Sequence, residues 1–260
     1  MNKKKNKRIV IKVGTSTLTH DNGKVDLRKI EKLVRVLSEL MNMGLEVILV
    51  SSGAISVGVG KQGLPKRPDS TREKQALAAI GQVSLMALYE KLFQEYGYSI
   101  AQVLLTKFVL EDEERYTNAK CAFETMIDYG VIPIVNENDV ISTYEIEFGD
   151  NDTLSAYVAI LVEADLLVIL SDIDGFYNGD PKNPDSHLIS IVEEINDEIR
   201  SCAGGAGTRR GTGGMQTKIK AAELVCGNGT DLIIANGDEP ERLYDIVEGK
   251  SIGTLFKAKK

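Results

Sequence analysis

Arg8-Ile9-Val10-Ile11-Lys12-Val13 is followed by Gly14-Thr15-Ser16, a helical segment Leu27–Met43, and then Glu46-Val47-Ile48-Leu49-Val50 ending in Ser51-Ser52-Gly53. These residues decide the fold. Both short runs are apolar almost throughout, as expected of strands covered on two faces. Between them Leu27, Ile30, Leu33, Val34, Leu37, Leu40 and Met41 share one helical side, and Gly44 supplies the stop. A strand, an amphipathic helix and a second buried strand make one turn of a parallel α/β sheet.

The alternation continues along the chain. Ser70 and Glu73 have capping-box spacing and open a helix to Tyr96, closed by Gly97. A strand over Ser99–Leu105, a helix over Arg115–Tyr129 and a strand over Val131–Val135 follow. Ser142–Phe148 alternates like a hairpin arm. Asn151–Glu163 reads as a helix, Leu166–Leu170 as a buried strand and Ile189–Ile195 as a peripheral one. The last elements are a helix over Met215–Asn228, a strand over Thr230–Ala235, a helix over Pro240–Glu248 and a strand over Gly253–Lys257. No internal repeat or linker divides the chain, so one domain is expected, with residues 1–8 as a flexible basic N-terminus.

Of the 260 residues, 43% are hydrophobic and 27% charged, values that suit a globular fold with ample core. A net charge of −7 disfavours non-specific binding to nucleic acid or an anionic membrane. The basic run Lys3-Lys4-Lys5, Lys7 and Arg8 has no interleaved aromatic residue and reads as a solvated terminus. Ile9–Val13 is too short for a secretory signal, and the apolar stretch Ala156–Leu170 carries Glu163 and Asp165. Cys121, Cys202 and Cys226 are spaced neither as a disulfide framework nor as a metal knuckle, and His20 and His187 sit in polar, turn-like contexts. A cytoplasmic protein with no nucleic-acid or membrane partner is expected.

In open α/β sheets ligands collect beyond the carboxyl ends of the strands. Here the strand ends carry Lys12-Val13-Gly14-Thr15-Ser16, Ser51-Ser52-Gly53-Ala54, Asn136-Glu137-Asn138-Asp139 and Ser171-Asp172. Each alone reads as turn and cap residues; together they point to a nucleotide and small-molecule site. The glycine-rich run Gly204–Gly214 leads into the helix at Met215, and Lys218 lies in its first turn. Backbone N–H groups and the positive helix end make a ready anion site, and a bound anion would offset the misplaced lysine. The same residues also read as a mobile surface loop with a solvated lysine. Gly149-Asp150-Asn151-Asp152 is a helix cap on one reading. On another, one of its carboxylates lies between Lys12 and Lys218 and fixes their ammonium groups.

Two familiar nucleotide patterns fail. Gly249-Lys250-Ser251 lacks the upstream glycine of a P-loop. Gly58-Val59-Gly60-Lys61-Gln62-Gly63 fits the dinucleotide fingerprint but follows a helix, and Leu64, Pro65 and Pro68 break any helix after it.

Taken together, Lys12–Ser16, Ser51-Ser52-Gly53-Ala54-Ile55, Asn136–Asp139, Gly149–Asp152 and Gly211–Lys218 resemble the amino acid kinase family, and within it the glutamate-phosphorylating branch. The resemblance runs in order from about Ile9 to Phe256. It implies a three-layer α/β/α sandwich around an open, mainly parallel sheet, with residues 9–260 as a single catalytic domain. It implies transfer of the ATP γ-phosphoryl group to the side-chain carboxylate of L-glutamate, giving L-glutamyl 5-phosphate, the first step of proline biosynthesis. By position, Ser52, Asp139 and Asn151 would bind glutamate. Lys12, Ser171, Asp172 and the run Thr212, Gly213, Gly214, Met215, Gln216, Thr217, Lys218 would hold ATP, and Asp152 would organise Lys12 and Lys218 in catalysis. Mg²⁺ would bridge the ATP phosphates. Proline is the implied feedback inhibitor, Gly60–Arg72 a lid over the acceptor, and a homo-oligomer the implied assembly. Many members of this branch carry a C-terminal RNA-binding-like domain; with Lys260 as the last residue, none is expected here.

Overall fold

The computed structural model describes residues 7–106, 108–142, 151–203 and 214–259. The expected hairpin arm, all but Ser142 of it, lies outside these residues, as do Asp150, Thr212, Gly213 and most of the glycine-rich run.

Eight strands form one sheet in the order β3-β4-β2-β1-β5-β7-β8-β6. They are β1 (Arg8–Val13), β2 (Glu46–Ser51), β3 (Ile100–Leu105), β4 (Ile132–Glu137), β5 (Leu166–Ser171), β6 (Ile191–Val192), β7 (Asp231–Asn236) and β8 (Thr254–Phe256). Every pairing is parallel except β7 with β8. Helices α1 (Thr15–Leu18), α2 (Leu27–Asn42), α3 (Ala54–Gln62) and α4 (Thr71–Gln94) lie in the first half of the chain. After β3 come α5 (Phe108–Glu111), α6 (Glu113–Asp128), α7 (Asn151–Leu161), α8 (Asp197–Ala203), α9 (Met215–Gly227) and α10 (Arg242–Val247).

Strand period two divides the core between the two sheet faces. Ile9, Ile11 and Val13 of β1 pack with Val47 and Leu49 of β2 and with the apolar sides of α2, α3 and α4. Val10 of β1 packs with Ile48, Val50, Leu167 and Ile169 beneath α7 and α9. Lys12 shares the parity of Val10, so it emerges on the α7/α9 face, in register with Val50 and Ile169. That parity sets up the site.

Several elements depart from expectation. β4 runs through Asn136 and Glu137, because Leu104 and Leu105 of β3 continue the ladder beyond the apolar run. The peripheral strand shrinks to Ile191–Val192, and the helix over Asp197–Ala203 had no clear signal. The largest departure is α3, which continues through Gly58 and Gly60 where the sequence suggested an ending. A Cβ at Gly58 would lie 2.1 Å from the Leu77 carbonyl oxygen, and one at Gly81 would lie 1.8 Å from that of Ala54. Glycine therefore lets α3 and α4 cross backbone against backbone, and that packing outweighs the roughly 1 kcal/mol helix cost per glycine.

Among the described residues α4 alone has the length and apolarity of a membrane span. Leu77, Ala78, Leu85, Tyr89 and Phe93 are instead buried in the core. Its start is as expected: Ser70 accepts from the Glu73 amide at 3.3 Å, and its hydroxyl donates to Glu73 Oε2 at 2.5 Å.

Candidate active site

Four residues converge on the α7/α9 face. Lys12 Nζ lies 2.7 Å from Asp152 Oδ1, and Lys218 Nζ lies 3.0 Å from Asp152 Oδ2. Thr217 Oγ1 also donates to Asp152 Oδ2, at 2.8 Å. The side chains of Lys12, Lys218 and Asp152 are only 10%, 6% and 1% exposed. Two ammonium groups are thus gathered on one carboxylate in a poorly solvated place, which suits an anionic ligand. Burial works to raise the Asp152 pKa, but the charges and hydrogen bonds of Lys12 and Lys218 hold it well below the ordinary carboxylate range.

The chain reaches this arrangement by simple local means. β1 delivers Lys12 one residue before its end, α7 begins at Asn151-Asp152, and α9 begins at Met215. Gly214 caps α9 without a side-chain hydrogen bond, and no acidic residue lies in its first turn. The positive end of this helix, with Lys218 beside it, is matched to an anion.

A second cluster adjoins the first through the Asn151–Asp152 peptide bond. Asn151 Nδ2 donates to Ser52 Oγ at 2.8 Å and to Asn136 Oδ1 at 3.0 Å. Ser52 follows β2, and the next residue, Gly53, takes φ 100°, a left-handed conformation that a side chain would strain as the chain turns into α3. Asp139 is buried beyond β4, and its Oδ1 has no hydrogen-bond partner among the described residues. Burial, reinforced by the nearby Glu137 carboxylate and opposed by Arg67, pushes the Asp139 pKa up to about 7. An acid in that condition is suited to receive a cation.

The structure therefore brings together Lys12, Asp152, Thr217 and Lys218, and beside them Ser52, Asn151 and Asn136. Ser171 is buried at the end of β5, where its hydroxyl donates to Asp172 Oδ1 at 3.1 Å, and the Asp172 side chain is exposed. Met215 and Gln216 occupy the start of α9. Asn136 and Glu137 have no role assigned from the sequence. Their signal was present, since polar residues within a strand's buried end call for an explanation.

A model of the amino acid kinase family matches residues 7–236. The chain is 59% identical to the glutamate 5-kinase of Clostridium perfringens, over 99% of this chain and 97% of that one. It is 51% identical to the glutamate 5-kinase of Listeria monocytogenes, over 99% and 95%. The glutamate 5-kinase of Caldanaerobacter subterraneus is 53% identical over 96% of this chain but only 67% of its own length. Among solved structures, the carbamate kinase from Giardia lamblia bound to AMP-PNP superposes with TM-score 0.67 at 20% identity, covering 98% of this chain and 99% of that one. The isopentenyl phosphate kinase of T. acidophilum superposes with TM-score 0.64 at 22% identity, covering 96% and 99%. These two likenesses establish the three-layer fold.

Proposed function

The chain belongs to the amino acid kinase family, and from that membership we propose that it is a glutamate 5-kinase, transferring the γ-phosphoryl group of ATP to the side-chain carboxylate of L-glutamate. The product is L-glutamyl 5-phosphate, and the reaction opens proline biosynthesis. The observation that carries the reading is the pairing of Lys12 and Lys218 on the two oxygens of Asp152.

In this reading a glutamate carboxylate oxygen forms a bond to the γ-phosphorus as the bond to the β–γ bridging oxygen breaks. The electron pair of the broken bond leaves with ADP. The attacking carboxylate is already ionised near neutrality, so no general base is required. Rate then comes from positioning and from stabilising charge on the transferring group and the leaving oxygen. Lys12 and Lys218 supply two preorganised cations, and Asp152 fixes their direction without occupying the phosphate position. Gly213, Gly214, Met215, Gln216 and Thr217 are assigned to the phosphates with Thr212 and Lys218, and Ser171 and Asp172 to the nucleotide.

Mg²⁺ enters as the magnesium complex of ATP. Both Asp152 oxygens are engaged by lysine, and no group of three metal-binding side chains occurs among the described residues. Mg²⁺ would supply neutralisation of phosphate charge there.

On the acceptor side, Ser52 and Asn151 are assigned to the substrate's carboxylates and Asp139 to its α-ammonium group. The raised pKa of Asp139 supports that assignment, because an arriving ammonium relieves the cost of the buried charge. Proline shares a cationic nitrogen and a carboxylate with glutamate and is proposed as a competitive feedback inhibitor. Residues 61–67 are exposed throughout, and Arg67 acts on Asp139, which supports Gly60–Arg72 as a lid. Residues 9–260 are proposed to form one catalytic domain of a homo-oligomer.

Hydroxylamine trapping of acyl phosphate, with MgATP and a panel of glutamate, acetylglutamate and aspartate, tests the reading. Signal with glutamate alone is expected. Signal with acetylglutamate or aspartate but not with glutamate refutes the substrate assignment.

A further inference from the structure

Helix α4 carries Gln75, Gln82 and Tyr89 at intervals of seven residues, and each side chain reaches a different part of the acceptor edge. Seven residues are close to two helical turns, so the three lie along one stripe. Gln75 Nε2 donates to the Val140 carbonyl at 3.0 Å, one residue past Asp139. Gln82 Oε1 accepts from Asn136 Nδ2 at 3.0 Å. The Tyr89 hydroxyl and Ser51 Oγ share a hydrogen bond of 3.0 Å, one residue before Ser52.

The middle contact has the most specific consequence. An asparagine amide is almost symmetric in shape, so its partners decide which end is oxygen and which nitrogen. Gln82 holds the Asn136 Nδ2 donor, and Asn136 Oδ1 faces the other way, fixed there by a backbone N–H that can only donate. There it accepts from the Glu137 amide at 3.0 Å and from Asn151 Nδ2 at 3.0 Å. The same Asn151 nitrogen donates to Ser52 Oγ at 2.8 Å. A hydrogen-bonded chain thus runs from α4 through the end of β4 and the start of α7 to the end of β2. If Asn136 turned over, its nitrogen would meet the nitrogen of Asn151, donor against donor.

α4 is also fixed in place next to this contact. Gly81, the neighbour of Gln82, packs so closely on α3 that an added Cβ would lie 1.8 Å from the Ala54 oxygen. α3 itself begins directly after Ser52-Gly53. Gln82 is therefore held at a set depth relative to the residues it orients.

We propose that Gln82 is a positioning residue for the acceptor site, holding Asn136 in the place and orientation in which Asn151 and Ser52 meet the acceptor substrate, with Gln75 and Tyr89 as flanking supports. The proposal rests on the assignment of Ser52, Asn151 and Asp139 to glutamate.

A double-mutant cycle tests it, with Gln82→Ala, Asn136→Ala and both together. Alanine is the best helix former and position 82 is only partly buried, so α4 should survive the change. Thermal unfolding of each variant checks this. Gln82→Ala is expected to raise KM for glutamate about tenfold while KM for ATP and kcat stay within about twofold of the parent. Added to Asn136→Ala, it should raise KM for glutamate by less than about twofold more, because its route of action is gone. Parental KM for glutamate in Gln82→Ala, equal rises for both substrates, or full additivity in the double variant would each overturn the proposal. The parent's own turnover of glutamate separates the two ideas. A parent with no glutamate-dependent acyl phosphate refutes the reading of the site, whereas an active parent indifferent to Gln82→Ala refutes the positioning role alone.

Discussion

Two regions of the sheet's carboxyl edge bury carboxylates and treat them in opposite ways. On the α7/α9 side Asp152 is held between two ammonium groups, which keep its pKa well below the ordinary carboxylate range. Beyond β4, Asp139 shares its surroundings with Glu137, Arg67 opposes that carboxylate's effect, and the Asp139 pKa rises to about 7. The first region pairs its own charges at short range and carries the two cations proposed to meet an incoming phosphate. In the second, burial and the Glu137 carboxylate raise the Asp139 pKa, a cost that an arriving cation would relieve. Near-neutral burial cost can thus serve preorganisation at one site and recognition at its neighbour.

The largest test of this contrast removes cations from the first region. Lys12→Ala and Lys218→Ala are each expected to lower kcat by roughly 10²–10³, the loss typical of one preorganised donor to developing charge. KM for glutamate should change far less. Asp152→Asn should share this pattern, since misdirected ammonium groups matter most when charge redistributes in the transition state. Near-normal kcat in a folded lysine variant would remove the distinction between the regions.

The second region should respond in KM instead. The α-ammonium group persists unchanged through the reaction, so Asp139→Asn removes binding that ground and transition states share. KM for glutamate is expected to rise on the order of 10–10²-fold, the cost of losing one charge-assisted partner, with kcat nearer the parent's. If Asp139→Asn and Asp152→Asn both lower only kcat, the division of labour is wrong.

The smallest effect is read from pH. In its proposed role Asp139 binds an ammonium in its ionised form, so KM for glutamate should fall about tenfold as pH rises from about 6 to about 8, through a midpoint near 7. Glu137→Gln removes a neighbouring negative charge and should move that midpoint to lower pH. Stability has its own sign. The folded pKa lies above the ordinary value of 3.8, so the protonated acid favours the folded state. This contribution is full below that value and is lost as pH rises towards about 7. Asp152, with a depressed pKa, contributes above 3.8 and loses its contribution only as pH falls towards its lower folded value. Initial-rate kinetics across this range, with thermal unfolding alongside, would show either trend. A flat KM profile would contradict the raised Asp139 pKa.

The alternation of buried runs and amphipathic helices in the sequence determined the sheet, its parallel sense and its polar edge, because periodicity is local information. It also determined that Lys12, Asp152 and Lys218 lie at element ends, where a ligand would gather. Their pairing distances and the charge state of Asp139 depended on packing between distant segments. The same is true of α3, where Gly58 and Gly60 read as an ending until Leu77 and Gly23 are seen to need the space. Gln82 illustrates the limit most plainly. Its spacing from Gln75 and Tyr89 was open to inspection, but its partner Asn136 lies 54 residues away along the chain. A hydrogen bond has no meaning until both ends share a place, and only the tertiary structure supplies the second end.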